Sequence, residues 1–251
     1  KPRKIVRLLR QADTLAPHRV WGKRARVMIP GALRKVRSRT WRRRLAKPTC
    51  AELARRSLSL SAASRLRAAA GNLARARRAG RCPVKTLCRA AASLGRRQAR
   101  KKRYRKAALK TLWIALTACQ KTRLKSLQAK VKYSLAKVNA KQKRYRRALS
   151  LYARVEREHP KHSYADDARY QSALVLIQQG KTSKGHARLR SLPTRYPKGD
   201  MAHAALWRLI WDAYSKDQLT RARKLLLRSL AIKRVPPKVE HAGRDGYWYA
   251  R

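Results

Sequence analysis

The sequence predicts an all-α protein, an α-solenoid of antiparallel helix pairs, and three observations lead to this prediction. Alanine, leucine, arginine and lysine dominate the 251 residues, and these side chains lose little rotamer freedom in a helix. Phenylalanine is absent, and no alternating run of β-branched and aromatic residues is long enough to predict a strand. Short motifs also recur at intervals of 35 to 41 residues, a period typical of stacked helical hairpins.

The repeat is clearest in two pairs of motifs. Residues 102–107 (Lys-Arg-Tyr-Arg-Lys-Ala) recur 41 positions later as residues 143–148 (Lys-Arg-Tyr-Arg-Arg-Ala). The His-Pro-Lys of residues 159–161 matches the Tyr-Pro-Lys of residues 196–198, and alanines follow each proline at five and eight residues. We also align three alanines, because small residues let paired helices approach closely: Ala148, Ala187 and Ala222.

Glycine and proline divide the chain into successive elements. Residues 1–49 show weak periodicity and basic runs, which predicts a mostly irregular basic arm before a helical-repeat domain over 50–251. From Cys50 a helical unit ends at Gly80 and Pro83, and a short helix over 84–94 closes near Gly95. The remaining predicted helices cover 98–119, 123–140, 142–158, 163–179, 183–192, 200–214 and 218–231.

The charge of the chain is extreme and uneven. The formal net charge is +57, and residues 1–150 alone hold 47 basic side chains against Asp13 and Glu52. Such a field attracts polyanions, so nucleic acid, anionic lipid and acidic cell-wall polymers are candidate partners. The alternative is a basic composition with no specific partner.

Several classes of site are not predicted. No apolar stretch approaches the roughly 20 residues of a membrane span. The four cysteines lack the spacing of a zinc site and the histidines do not cluster near them, so neither a metal nor a cofactor is expected. Disulfide bonds and buried free thiols are both compatible with these cysteines.

A string of motifs in the last 110 residues resembles a known family. It comprises Tyr145 and Ala148, Pro160, the run Asp166-Asp167-Ala168, then Pro197, Asp200, Trp207, Trp211 and finally Tyr247-Trp248. This string resembles the superhelical region of soluble lytic murein transglycosylases, a tetratricopeptide-like superhelix. The resemblance implies a non-catalytic scaffold in the periplasm or cell envelope that positions or binds peptidoglycan.

The resemblance does not extend to catalysis. In that family a catalytic glutamate followed by serine lies in a C-terminal lysozyme-like domain, and no Glu-Ser pair occurs here. We therefore expect that the catalytic domain is absent and that this chain is not an enzyme. Two alternatives remain open. One is a cytoplasmic nucleic-acid or polyanion binder acting through residues 1–150, and the other is a tetratricopeptide-type adaptor that binds a peptide in its groove.

The motif residues also suggest structural roles. Ser163 and Asp200 are expected to cap the helices that follow them, while Asp166 and Asp167 offset a helix dipole. Trp207 and Trp211 lie one turn apart, so we expect both to pack in the core, near Ala168, Ala173 and Leu176. The alternative for the two tryptophans is stacking on a sugar ring.

Overall fold

The computed structural model describes residues 48–79, 82–197, 199–232 and 247–248, together with Ile5, Leu8 and Met28. Within these residues the regular structure is helical and no strand occurs. The predicted all-α solenoid is therefore confirmed. Most of the predicted basic arm, residues 1–49, lies outside the described residues.

Successive α-helices follow one another with short connections. Their bounds are α1 Cys50–Ala62, α2 Leu66–Arg78, α3 Val84–Arg100, α4 Arg105–Gln120, α5 Lys125–Lys141, α6 Tyr145–Glu158, α7 Tyr164–Gln178, α8 Thr182–Arg190, α9 Leu192–Arg195, α10 Met201–Tyr214 and α11 Leu219–Leu230. A 3₁₀ turn, Lys102–Tyr104, separates α3 from α4.

Ten of the described helices, all except α9, pair into five stacked hairpins. Each A helix (α1, α3, α5, α7 and α10) packs against the B helix that follows it (α2, α4, α6, α8 and α11). Each A helix also contacts the A helix of the next hairpin, which makes a continuous A-helix face along the solenoid. In such an array every repeat buries its open face against its neighbour.

Four of the A-to-B turns share one conformation. In each, a residue with positive φ follows the A helix, and the next N–H donates to a carbonyl five residues back at 2.9 Å. This is the Schellman helix end, which satisfies carbonyls that the helix leaves unpaired. The residues with positive φ are Ser64, Lys143, Gly180 and Asp217, and the last three are 37 residues apart.

A small residue stands at the fourth position of every B helix. These residues are all buried: Ala69, Ala108, Ala148, Gly185 and Ala222. The alignment of Ala148 with Ala187 is therefore wrong, because Ala187 is exposed and Gly185 occupies the equivalent place. A Cβ at Gly185 would lie 2.9 Å from the carbonyl oxygen of Ala173 on α7, which explains the glycine.

Two predicted boundaries differ from the structure. The predicted end of a helix near Gly95 is wrong, because α3 continues to Arg100 and the chain breaks at the 3₁₀ turn instead. Gly95 lies where α4 approaches closely, since a Cβ there would be 2.8 Å from the side chain of Leu112. The first predicted unit is in fact a hairpin, which turns at Ser64.

The four cysteines form two disulfide bonds. Cys50 bonds to Cys82, and Cys88 bonds to Cys119. The choice between disulfides and free thiols, open at the sequence level, is resolved in favour of disulfides. Both bonds lie in the first two hairpins and both have one end on or just before α3.

Candidate functional site

Four arginines of α3 surround one cavity on the A-helix face. The cavity has a volume of about 380 Å³. Its lining consists of Leu58 from α1, Arg89, Ser93, Arg96, Arg97 and Arg100 from α3, and Leu127 from α5. The α3 positions follow a spacing of three, four and seven residues, which places them on one side of the helix. We call these seven residues the arginine groove.

The groove spans several hairpins. The Ser93 hydroxyl lies 2.8 Å from the hydroxyl of Ser61, which is fully buried on α1. Arg96 donates a hydrogen bond of 3.3 Å to the hydroxyl of Tyr164, the first residue of α7. A side chain of α3 therefore reaches past α5 to α7.

None of the described carboxylates pairs with a groove arginine. Residues 53–155 contain 31 lysines and arginines and no aspartate or glutamate. Among the described residues, none of the four groove arginines forms an ion pair. The groove is therefore a cavity with partly apolar walls in which four positive charges lie close together. Such a cavity attracts anionic groups.

The two glutamates that follow this stretch are engaged elsewhere. Glu156 is buried and accepts hydrogen bonds from Arg188 and, at 2.9 Å, from Arg169, which joins α6 to α7 and α8. Glu158 pairs with the buried Lys132 of α5. Burial alone would raise the pKa of Glu158, but the bonds from Lys132 and Arg154 outweigh it and hold the pKa at about 2.

An aromatic and acidic cluster lies beside the groove. The ring of Tyr164 is 4.6 Å from that of Tyr133, whose hydroxyl donates to Asp167 at 3.4 Å. Burial, with repulsion from Asp166 and Asp200, raises the pKa of Asp167 to about 6. Burial and the nearby Asp167 also raise the pKa of Tyr133, so its hydroxyl stays protonated at neutral pH. This cluster links α5 to α7 at the end of the groove.

The expected caps differ from the observed ones. Ser163 and Asp200 occupy the expected N-cap positions, but neither side chain makes a cap hydrogen bond. Asp166 reaches across from α7 and accepts from the Met201 N–H at 3.3 Å, at the start of α10. Gly199 permits this approach, because a Cβ there would collide with the Asp166 carboxylate.

The other motif residues lie along the hairpins. Ala148 and Ala168 are fully buried, and Tyr145, the first residue of α6, packs partly buried against the core. Pro160 and Pro197 lie in the exposed connections that lead to α7 and α10. None of these residues lines the arginine groove.

The tryptophan pair does not fill the core between α7 and α10. Trp211 is 50% exposed, and Ala173 packs instead with Ala205 and Leu209, so the expectation of core packing is wrong for Trp211. Trp207 is half-buried and packs with the cluster formed by α10 and α11. The rings of Trp211 and Trp248 meet edge to face at 6.0 Å, and Tyr247 lies exposed beside them.

The contact between Ser126 and His162 is not arranged for hydrolysis. The Ser126 hydroxyl lies 3.0 Å from Nε2 of His162, but Nδ1 of that ring accepts the Tyr164 N–H at 3.1 Å. Nε2 of the neutral ring therefore carries the proton and cannot take one from serine. Across the described ranges, no group of histidine, cysteine and acidic residues could hold a metal ion, and no helix is long and apolar enough to cross a membrane.

Sequence reasoning missed the groove arginines. Their signal was the helical spacing of Arg89, Arg96, Arg97 and Arg100 within a stretch that has no acidic residue. A helix with a solvent-exposed basic face would show the same spacing. Only the structure, in which α1 and α5 complete the cavity, distinguishes the two cases.

The comparisons with known proteins show the fold of the chain but not its family. No family model matches the chain, and no curated protein matches it. YrrB, described as a TPR protein with an unusual peptide-binding site, is 17% identical with a TM-score of 0.52, over 78% of this chain and 91% of that one. PilF of Pseudomonas aeruginosa is 14% identical with a TM-score of 0.52, over 99% and 100%.

A third solved structure agrees with these two. It is a variant of a candidate kinesin light chain of Podosopora anserina with nearly identical TPR-like repeats, 14% identical with a TM-score of 0.53, over 72% of this chain and 92% of that one. These likenesses place the chain in the tetratricopeptide-like solenoid fold. Nothing in them supports the resemblance to murein transglycosylases.

Proposed function

We propose that this chain is a protein–protein adaptor that binds an extended, acidic segment of a partner in the arginine groove. The observation that carries the proposal is the convergence of four arginines, unpaired with any described carboxylate, on one cavity of the A-helix face. The fold supports it, because one similar solenoid is described as having a peptide-binding site.

The groove suits a short stretch of extended chain. Arg89 and Arg100 are eleven positions apart, or about 16 Å along a helix that rises 1.5 Å per residue. About five residues of extended peptide cover that length. Guanidinium groups bind carboxylates through two parallel hydrogen bonds, and Leu58 and Leu127 offer apolar contacts to neighbouring side chains.

The competing functions make different demands. The peptidoglycan scaffold depends on the motif resemblance alone, and the motif residues do not line the groove. A nucleic-acid binder would use the basic surface as a whole, with an affinity set by counterion release. An adaptor requires that the groove arginines matter more than exposed basic residues elsewhere on the solenoid.

Calorimetric titration with a dodecapeptide of alternating glutamate and leucine tests the proposal. We expect Arg96→Gln with Arg97→Gln to weaken binding about tenfold or more, because each removes a charged hydrogen-bond donor. The matched control is Lys106→Gln with Lys110→Gln, two exposed lysines on α4, which should change the affinity less than threefold. Equal losses in both variants, or tighter and arginine-dependent binding of a duplex DNA dodecamer, would overturn the adaptor proposal.

A further inference from the structure

We infer that the arginine groove is a disulfide-dependent site, so that the chain binds its acidic ligand only when Cys50–Cys82 and Cys88–Cys119 are formed. The inference rests on the proposed function, since the groove must first be shown to bind. It concerns the regulation of that site and the compartment in which it can act.

Both disulfides hold the helix that carries the groove. Cys82 lies two residues before α3 and ties its start to Cys50, the first residue of α1. Cys88 lies on α3 itself, beside Arg89, and ties it to Cys119 near the end of α4. The covalent links therefore fix α3 against both helices that flank it.

Electrostatics make such links necessary in this half of the chain. The 31 basic residues between positions 53 and 155 repel one another, and no acidic residue in that stretch offsets the repulsion. Later in the chain, Glu156 and Glu158 join α5, α6, α7 and α8 by buried or half-buried ion pairs. Disulfide bonds therefore link the helices of the first two hairpins, whereas ion pairs link α5 to α8.

Helix α3 packs closely on α1 and α4. Its buried apolar side chains are mostly small, namely Cys88, Ala90, Ala91, Ala92 and Leu94. Small side chains each bury little apolar area, so the hold on α3 depends on keeping its close contact with α1 and α4. Without the disulfides, we expect the arginines to separate and the cavity to open.

The chemistry sets the compartment. Each disulfide forms when two thiols together lose two electrons and two protons, which a disulfide oxidant such as an oxidised dithiol protein takes up. Such bonds persist in oxidising compartments and are rare where thiols are kept reduced. A disulfide-dependent groove therefore acts outside the reducing cytosol.

Binding of the glutamate–leucine dodecapeptide to the oxidised wild-type chain and to a variant with all four cysteines changed to serine tests the inference. We expect at least a tenfold loss of affinity in the variant. Hydrogen exchange should show that amides of α3 lose protection while those of α7 to α11 keep theirs.

The outcomes separate the two proposals. No binding by the oxidised wild-type chain would show that the adaptor proposal is wrong, and this inference with it. Binding by the variant within twofold of wild type would overturn only the disulfide dependence. Uniform loss of protection along the variant would also overturn it, because the disulfides would then serve the whole fold rather than the groove.

Discussion

Replacing Gly185 by alanine tests the packing rule on which the hairpins depend. Alanine in place of a helical glycine normally stabilises a protein by about 0.5–1 kcal/mol. The reason is that alanine loses less conformational entropy than glycine when the chain folds. At Gly185 the new Cβ would lie 2.6 Å from Cγ1 of Ile177 and 2.9 Å from the carbonyl oxygen of Ala173. The isoleucine side chain can move, but the carbonyl belongs to the backbone of α7.

The net effect follows from these two opposing contributions. Pushing α8 away from α7 is overpacking, which costs about 1–3 kcal/mol. After the gain in helix propensity, we expect Gly185→Ala to lower the free energy of unfolding by about 1 kcal/mol, within a range of about 0–2.5 kcal/mol. In a chain of this size each kcal/mol corresponds to roughly 2–4 °C in melting temperature.

Gly71 provides the matched control. It lies in the middle of α2, and nothing stands within 4 Å of a Cβ built there. Gly71→Ala should therefore raise stability by about 0.5–1 kcal/mol. Thermal and urea melts followed by circular dichroism measure both variants. If Gly185→Ala stabilises the protein as much as Gly71→Ala does, then α7 and α8 do not lie as close together at Gly185 as the structure shows.

Two further predictions concern Asp167 and the tryptophans. Because the pKa of Asp167 is raised to about 6, the unfolded chain loses this proton at a lower pH than the folded chain. Stability should fall as pH rises from about 4 to 6, and Asp167→Asn should raise the melting temperature at pH 7.5 but not near pH 4. An equal increase at both values would contradict this. Trp211→Ala should cost less than about 1 kcal/mol, because the ring is half exposed, whereas Trp207→Ala should cost more. Urea melts that reverse this order would refute the packing described for α10.

Much of the fold could be predicted from the sequence because local signals and the repeat agree. The prolines and glycines before α7 and α10 place those helices within a few residues of their observed starts. The turn at Ser64 was missed because its positive φ falls on a residue with no turn signal. The sequence predicts a helix end at Gly95, whereas this glycine makes a close contact with Leu112, and only the packed structure distinguishes the two.

The candidate site was harder to predict than the fold. The motif resemblance directed attention to Trp207 and Trp211, which lie at the far end of the solenoid from the groove. The groove depends on α1 and α5 closing over one face of α3, and residues of different repeats meet there only after stacking. Charge alone indicated an anionic partner but could not say which of 68 basic residues would contact it.

Hydrogen exchange of the oxidised chain, with and without the glutamate–leucine dodecapeptide, tests the central claim most directly. An adaptor that uses the arginine groove should show added protection on α3 and at the start of α5, with little change on α4 and α6. It should lose that protection when Arg96 and Arg97 are replaced by glutamine. Protection spread evenly over the basic surface, or confined to α4, α6 and α11, would contradict the claim that this groove is the binding site.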